Sequence, residues 1–248
     1  MYKEHSSFDA IPDDTKIWRF MDFKKFKDLI KTRSLFFARP KTFKDPWEGY
    51  LTKKHFEESS YAGLPIFSRK FSIDFAKNSH PAMTRENLGV CCWHINEVES
   101  EAFWSKYSKK GIVIQSTFGR LKDSFKGSNY HNVYIGKVKY IDHEVEFVDI
   151  RNLFNSILWK RKSFEYENEL RAVIWEQEFF GEGSPIPFTN SKGQLVNVDL
   201  EALIENIITT PFEKKNKFHN KVNKLLKKQG LNIQCLKSNL MDDPIKDK

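Results

Sequence analysis

Long apolar runs are missing from this chain of 248 residues. No stretch approaches the roughly 18–20 apolar residues that cross a bilayer, which argues against a membrane-spanning helix. The opening residues, MYKEHSSFDAIPDD, lack the apolar run of a signal peptide, so a cytoplasmic location is expected. Cysteine is scarce: Cys91, Cys92 and Cys235 are the only three. An odd count with two adjacent members builds no disulfide framework, and no spacing fits a zinc site, so no metal is expected. Also missing are a phosphate-cradling glycine loop and a dinucleotide fingerprint. A nucleophile elbow and an HExxH motif are absent too. These gaps argue against a P-loop enzyme, a Rossmann dehydrogenase, an α/β-hydrolase and a zincin.

What the chain does contain is core material. Hydrophobic residues make up 40% and aromatics 15%, with 22 Phe. That suffices for a substantial aromatic-rich interior. No repeat, low-complexity linker or composition break divides the chain. We expect one α+β domain over residues 16–240, a mixed β-sheet with flanking helices. Residues 1–15 are expected to be a flexible segment and 241–248 a frayed tail. The net charge is +8, from 41 basic and 33 acidic side chains. The sharpest excess is Lys214, Lys215, Lys217, Lys221, Lys224, Lys227 and Lys228. It reads as the solvated face of an amphipathic helix, contributing mainly solubility or weak phosphate attraction.

Alternation and helical spacing give a coarse element map. Strands are expected at 16–20, 34–38, 89–94, 111–116, 134–141, 169–175, at Val196 and Val198, at 207–209 and near 233–235. Asp22 resembles an N-cap for a helix carrying Phe23, Phe26, Leu29 and Ile30. Further helices are expected at 100–107, 117–125 and 146–162, with a turn at 200–205. Residues 40–50 read as a loop, 51–87 as irregular and mostly helical, and 181–194 as a hairpin region.

Five segments hold the residues suited to chemistry. They are Trp18-Arg19-Phe20, the loop Phe43-Lys44-Asp45-Pro46-Trp47-Glu48-Gly49, the strand end Cys92-Trp93-His94, the helix carrying Trp104 and Tyr107, and Phe164–Arg171. As an ordered set they resemble the bacterial domain-of-unknown-function family 2971, over roughly Ile17 to Leu240. That label implies no activity. The strand–helix–strand opening with Arg19 on its first strand is also similar to ADP-ribosyltransferases, including toxins that modify DNA. This resemblance implies an ADP-ribosyltransferase-like fold and an NAD-dependent transferase in bacterial defence. It implies NAD as cofactor, a nucleic-acid or protein acceptor, and an antitoxin partner.

The transferase resemblance makes Glu169 the catalytic carboxylate, with Glu167 and Glu165 as competitors. The chemistry is coherent. A carboxylate stabilises oxocarbenium charge as the nicotinamide–ribose bond breaks. A guanidinium such as Arg19 grips pyrophosphate. Tyr107, Trp93 or Trp104 supplies a stacking face, and Glu48 and Arg171 complete the ligand-binding set. A Ser-Thr-Ser motif expected after the second strand is replaced by Phe37-Ala38-Arg39. Equally open is a structural reading in which Arg19, Glu48, Glu169 and Arg171 pair with one another. Under it Trp93, Trp104 and Tyr107 are core anchors, Asp45 serves a turn, His94 is a satisfied strand-end histidine and Cys92 fills core. Two other functions compete: a non-catalytic nucleic-acid- or ligand-binding module, and a metal-dependent nuclease built on Asp45, Glu48, Glu167 and Glu169. The transferase model requires Arg19 and Glu169 to face one cleft, walled by Trp104 and Tyr107 beside the Trp93 strand.

Overall fold

The computed structural model describes residues 1–6, 8–128, 132–150, 152–176, 188–213 and 215–245. Its strands are β1 (Lys16–Asp22), β2 (Ser34–Ala38), β3 (Leu88–Ile95), β4 (Gly111–Thr117), β5 (Tyr134–Lys137), β6 (Lys139–Ile141), β7 (Trp159–Arg161), β8 (Glu169–Trp175), β9 (Gly193–Asn197), β10 (Asn206–Thr209) and β11 (Gln234–Lys237). The helices are α1 (Phe23–Thr32), α2 (Ile66–Asp74), α3 (His80–Asn87), α4 (Glu101–Tyr107), α5 (Phe118–Ser124), α6 (Asn155–Leu158), α7 (Leu200–Leu203) and α8 (Lys217–Lys228). This is one mixed α+β domain. Among the described residues, no helix is long and apolar enough to cross a membrane.

Among the described residues, nine strands form the main sheet, with β11-β10-β4-β1-β3 in line and only the β10–β11 pair parallel. The branch point is β3. One of its edges pairs with β8 from Leu88 to His94. The other edge is divided: β1 meets it at His94 and Ile95, and β2 meets it at Val90. Where β1 peels away, Arg19 fills the gap. Its Nη1 donates to the Cys92 carbonyl at 2.5 Å, standing in for a missing ladder bond.

Each face of the sheet is covered. On one face Ile17, Met21, Cys91, Trp93, Ile114 and Leu170 join the main core, together with Phe26 and Leu29 of α1 and Val222 and Leu226 of α8. Asp22 caps α1 as expected, accepting from the Lys25 amide at 2.8 Å. Chain approach is tight where β4 starts: a Cβ on Gly111 would stand 2.2 Å from the Met21 carbonyl. Only glycine fits there.

Three expectations change. The helix expected at 146–162 shrinks to α6, followed directly by strand β7. The strand expected at 134–141 breaks at Val138, whose amide donates to the Glu169 carbonyl at 2.9 Å. The amino-terminal segment, expected to be flexible, makes contacts with the domain. Tyr2 bridges to Val133, and Phe8 packs on Phe154 with ring centroids 5.9 Å apart. The hairpin expected at 181–194 lies largely outside the described residues.

Candidate functional site

The face opposite the main core carries a buried charged cluster. Its origin is strand register. Glu169 pairs with His94, and Arg171 with Cys92, so these four side chains share one face. Their ion pairs close through two other segments. The turns at 45–49 deliver Glu48, and β7 delivers Lys160. A short 3₁₀ segment, Lys162–Glu167, ends at Asn168 in the left-handed region (φ 39°) and sets Glu167 beside them. Asn168 Nδ2 anchors this turn on the Ile95 carbonyl at 2.8 Å.

The geometry is closely specified. Arg171 grips Glu48 with two bonds of 2.8 and 2.9 Å, and its Nε donates to Glu169 at 2.7 Å. Lys160 Nζ lies 2.6 Å from Glu167, 2.7 Å from Glu169 and 3.5 Å from Glu48. Toward solvent, Glu167 accepts from Tyr107 Oη and from Lys106 Nζ, the latter at 2.7 Å. Lys106 also contacts the exposed Tyr166 hydroxyl. Arg161 and Asp45 form an outer pair at 2.7 Å. Asp45 also serves its turn, accepting from the Trp47 amide at 3.1 Å.

Protonation follows from this packing. Burial pushes the Glu169 carboxyl up, but Arg171 and then Lys160 outweigh it and hold it down to about 2. Burial pulls Lys160 down, and Glu169 and Glu48 more than reverse that. Tyr107 is raised by burial and by its bond to Glu167, so it stays a phenol that donates. Burial lowers His94, whose Nδ1 donates to the Glu167 carbonyl at 2.8 Å. Glu48, Glu167 and Glu169 are thus matched by Lys160, Arg171 and Lys106, and the cluster is compensated within itself.

The sequence-selected residues divide between the two faces. Glu48, Glu169 and Arg171 form the centre of the cluster, and Tyr107 forms its edge. Arg19 does not reach it. Trp18 pairs with His94, so Arg19, one residue on, points to the other face. There its guanidinium lies 5.8 Å from the Trp93 ring, amid the main core. The expectation of one cleft joining Arg19 and Glu169 is therefore corrected: the sheet itself separates them. Trp93 is fully buried on Arg19's side. Trp104 is fully buried with Trp18, Val113 and Ile208, and its Nε1 donates to Glu99 at 2.8 Å. Neither tryptophan walls a cleft with Glu169. The ring beside His94 belongs instead to Phe103, with centroids 4.3 Å apart.

Lys160 and Lys106 escaped the sequence reading. Lys160 sat inside a helix expected at 146–162, where its strand-like neighbours gave no hint of an inward lysine. The point where three carboxylates converge holds the Lys160 ammonium. Among the described residues, no group of three or more His, Cys, Asp or Glu is arranged to hold a metal ion. Cavities of about 350 and 250 Å³ lie elsewhere, and none of Arg19, Glu48, Glu169 or Arg171 lines either.

A second feature lies on the outer surface of the main-core side. Helices α1 and α8 adjoin: Phe23 and Phe218 meet edge to face at 5.4 Å, and Lys221 Nζ sits 4.2 Å from the Phe23 ring centroid. Helix α8 has five lysines and no carboxylate; α1 has four lysines and one aspartate. Together they account for the chain's whole net charge of +8, and the remainder is balanced. These lysines are exposed, and none from α8 pairs with a carboxylate among the described residues. Lys217, Lys221, Lys224 and Lys228 fall at helical spacing along one side. They form a stripe rather than a collar around the helix.

No protein-family model, curated protein or solved structure matches the chain.

Proposed function

We propose that this protein is a nucleic-acid-binding module whose contact surface is the α1–α8 face. The observation that carries it is the concentration of the entire net charge on two adjoining helices. A phosphate polymer suits such a surface, because clustered lysines displace its condensed counterions. A lipid surface suits it less. A membrane-lying helix carries apolar anchors beside its lysines, and neither α1 nor α8 exposes a large hydrophobic side chain. Recognition here is of backbone phosphates, without base reading.

The test is titration of labelled DNA and RNA at several salt concentrations. With about four to six phosphate contacts, log K falls against log salt with a slope of about −4 to −5. A fourfold rise in salt then costs about 10²–10³ in affinity. Replacing Lys217, Lys221, Lys224 and Lys228 by Gln flattens the slope and leaves the fold intact. Salt-independent binding, or an unchanged slope in the variant, would sink the proposal.

A group-transfer enzyme using NAD is the second reading, supported by the meeting of four of the five chemistry-bearing segments in one cluster. In this reading Glu167, buried beneath Tyr107 and the half-exposed Lys106, replaces Glu169 as the reacting carboxylate. NAD consumption by the wild type, lost in Glu167→Gln, tests it. A wild type that consumes no NAD in the presence of DNA, RNA or protein acceptors removes it.

A further inference from the structure

The cavity of about 350 Å³ lies where α1 ends. It is lined by Thr32 and Arg33 from that end, by Lys126, Gly127 and Ser128 beyond α5, and by Asn197, Val198 and Asp199 at and just beyond the end of β9. Two of these side chains are cationic. Lys126 has a partner, Asp123 at 3.0 Å, although both are largely exposed. Asp199 is the one carboxylate in the lining; its Oδ1 caps α7, accepting from the Glu201 and Ala202 amides at 3.0 and 3.1 Å.

Arg33 is the unusual member. It caps the C-terminus of α1 in the left-handed region, with φ 48° and ψ 41°. Glycine is the residue that this position favours, and a side chain there costs free energy. The backbone role at the position needs no side chain: the Arg33 carbonyl accepts from the Val198 amide at 2.9 Å. Among the described residues the guanidinium has no carboxylate partner, and Arg33 lines the cavity. On the opposite wall, Gly127 (φ +80°) has open space where a Cβ would be.

The cavity also has a defined position. Helix α1 has ten residues and is about 15 Å long. Phe23 at its start touches α8, so the lysine-bearing face of α1 leads from the α8 stripe to this notch.

We infer that the notch bounded by Arg33 and Lys126 binds the terminal phosphate of a nucleic-acid strand whose body lies on the α1–α8 face. This rests on the nucleic-acid-binding reading. A phosphomonoester carries about −1.5 to −2 charges at neutral pH and three acceptor oxygens. An internal phosphodiester carries one charge. Two cationic side chains beside one cavity favour the former, and a guanidinium can meet it with two parallel bonds.

The experiment uses short single-stranded DNA with a 5′-phosphate, a 3′-phosphate or hydroxyl ends, read by fluorescence anisotropy. The wild type is expected to bind one phosphorylated form about tenfold more tightly than the hydroxyl-ended strand. Arg33→Gly is expected to erase that preference, keep the affinity for hydroxyl-ended DNA, and melt at or above the wild-type temperature. Equal affinity for all three strands overturns the notch while leaving the surface in place. If no strand binds at all, the surface reading fails. The notch is then judged by calorimetric titration with inorganic phosphate. Saturable binding lost in Arg33→Gly upholds an anion site, and absence of binding overturns it.

Discussion

Arg171 and Glu48 meet fork to fork, 123 positions apart in the chain, with both side chains buried. The pair binds the turns at 45–49 to the middle of β8. Such a pair is costly to bury and costlier to break, because the survivor is left as an uncompensated interior charge.

Glu48→Gln is expected to lower the free energy of unfolding by about 3–5 kcal/mol. Arg171 would keep one neutral acceptor and lose its two-point grip. Urea denaturation followed by tryptophan fluorescence reads the change. A loss below about 1 kcal/mol would mean that the pair contributes little beyond a surface bridge.

Glu169 predicts how the protein responds to acid. Its carboxyl is held down to about 2, against an ordinary 4.5 in an unfolded chain. A depressed folded value stabilises above the unfolded value and stops doing so as pH falls through the folded one. The stabilisation is therefore whole above about pH 5 and is lost on the way to pH 2. It amounts to about 3 kcal/mol. In Glu169→Gln the unfolding free energy should be lower at pH 7, and its fall between pH 5 and 2 should be shallower. A slope equal to that of the wild type would show that the carboxyl titrates normally.

His80 governs a higher window, which overlaps that of Glu169 between about pH 5 and 4. It is fully buried at the start of α3, and neither ring nitrogen has a hydrogen-bond partner. Burial, and then His55, holds its pKa down to about 4 against an ordinary 6.5. The sign is the same: the neutral ring is tolerated above pH 6.5, and stability drains away as pH falls toward 4. The drain is about 3 kcal/mol. His80→Phe should hold stability at pH 7 and flatten the curve between pH 6.5 and 4, leaving the fall below about pH 4 untouched. Thermal unfolding across that range decides it; an unchanged curve assigns the loss to other groups.

The strands of the main sheet were legible because their apolar residues announce themselves. Gly111–Thr117 and Glu169–Trp175 are short runs rich in Val and Ile, and Asp22 marks the start of α1 by its own chemistry. The segment at 146–162 misled for a physical reason. Phe147, Ile150, Phe154, Ile157 and Leu158 recur at nearly helical intervals, yet they do not share one helix: Phe154 and Ile157 pack with Val173, Leu88 and Val90, whereas the exposed Phe147 stacks on His55 with ring centroids 4.1 Å apart. That error hid Lys160, which enters the interior from a three-residue strand. Glu48, Tyr107, Glu169 and Arg171 were found because charged and aromatic residues recur within short motifs. The side of the sheet to which Arg19 turns was not readable. It depends on the register of β1 against β3 and of β3 against β8, and pairing between distant strands leaves no mark within either one.

That distance in sequence has a consequence during synthesis. A growing chain that has reached β3 already possesses Glu48 but neither of the cations that allow it to leave water. Lys160 and Arg171 lie more than a hundred residues after Glu48, in the stretch that supplies β7 and β8, the long partner of β3. The divided edge of β3 and the carboxylate beneath it are thus waiting for the same segment. Until that segment emerges, Glu48 lacks both of its cationic partners and β3 lacks the strand that pairs with it from Leu88 to His94.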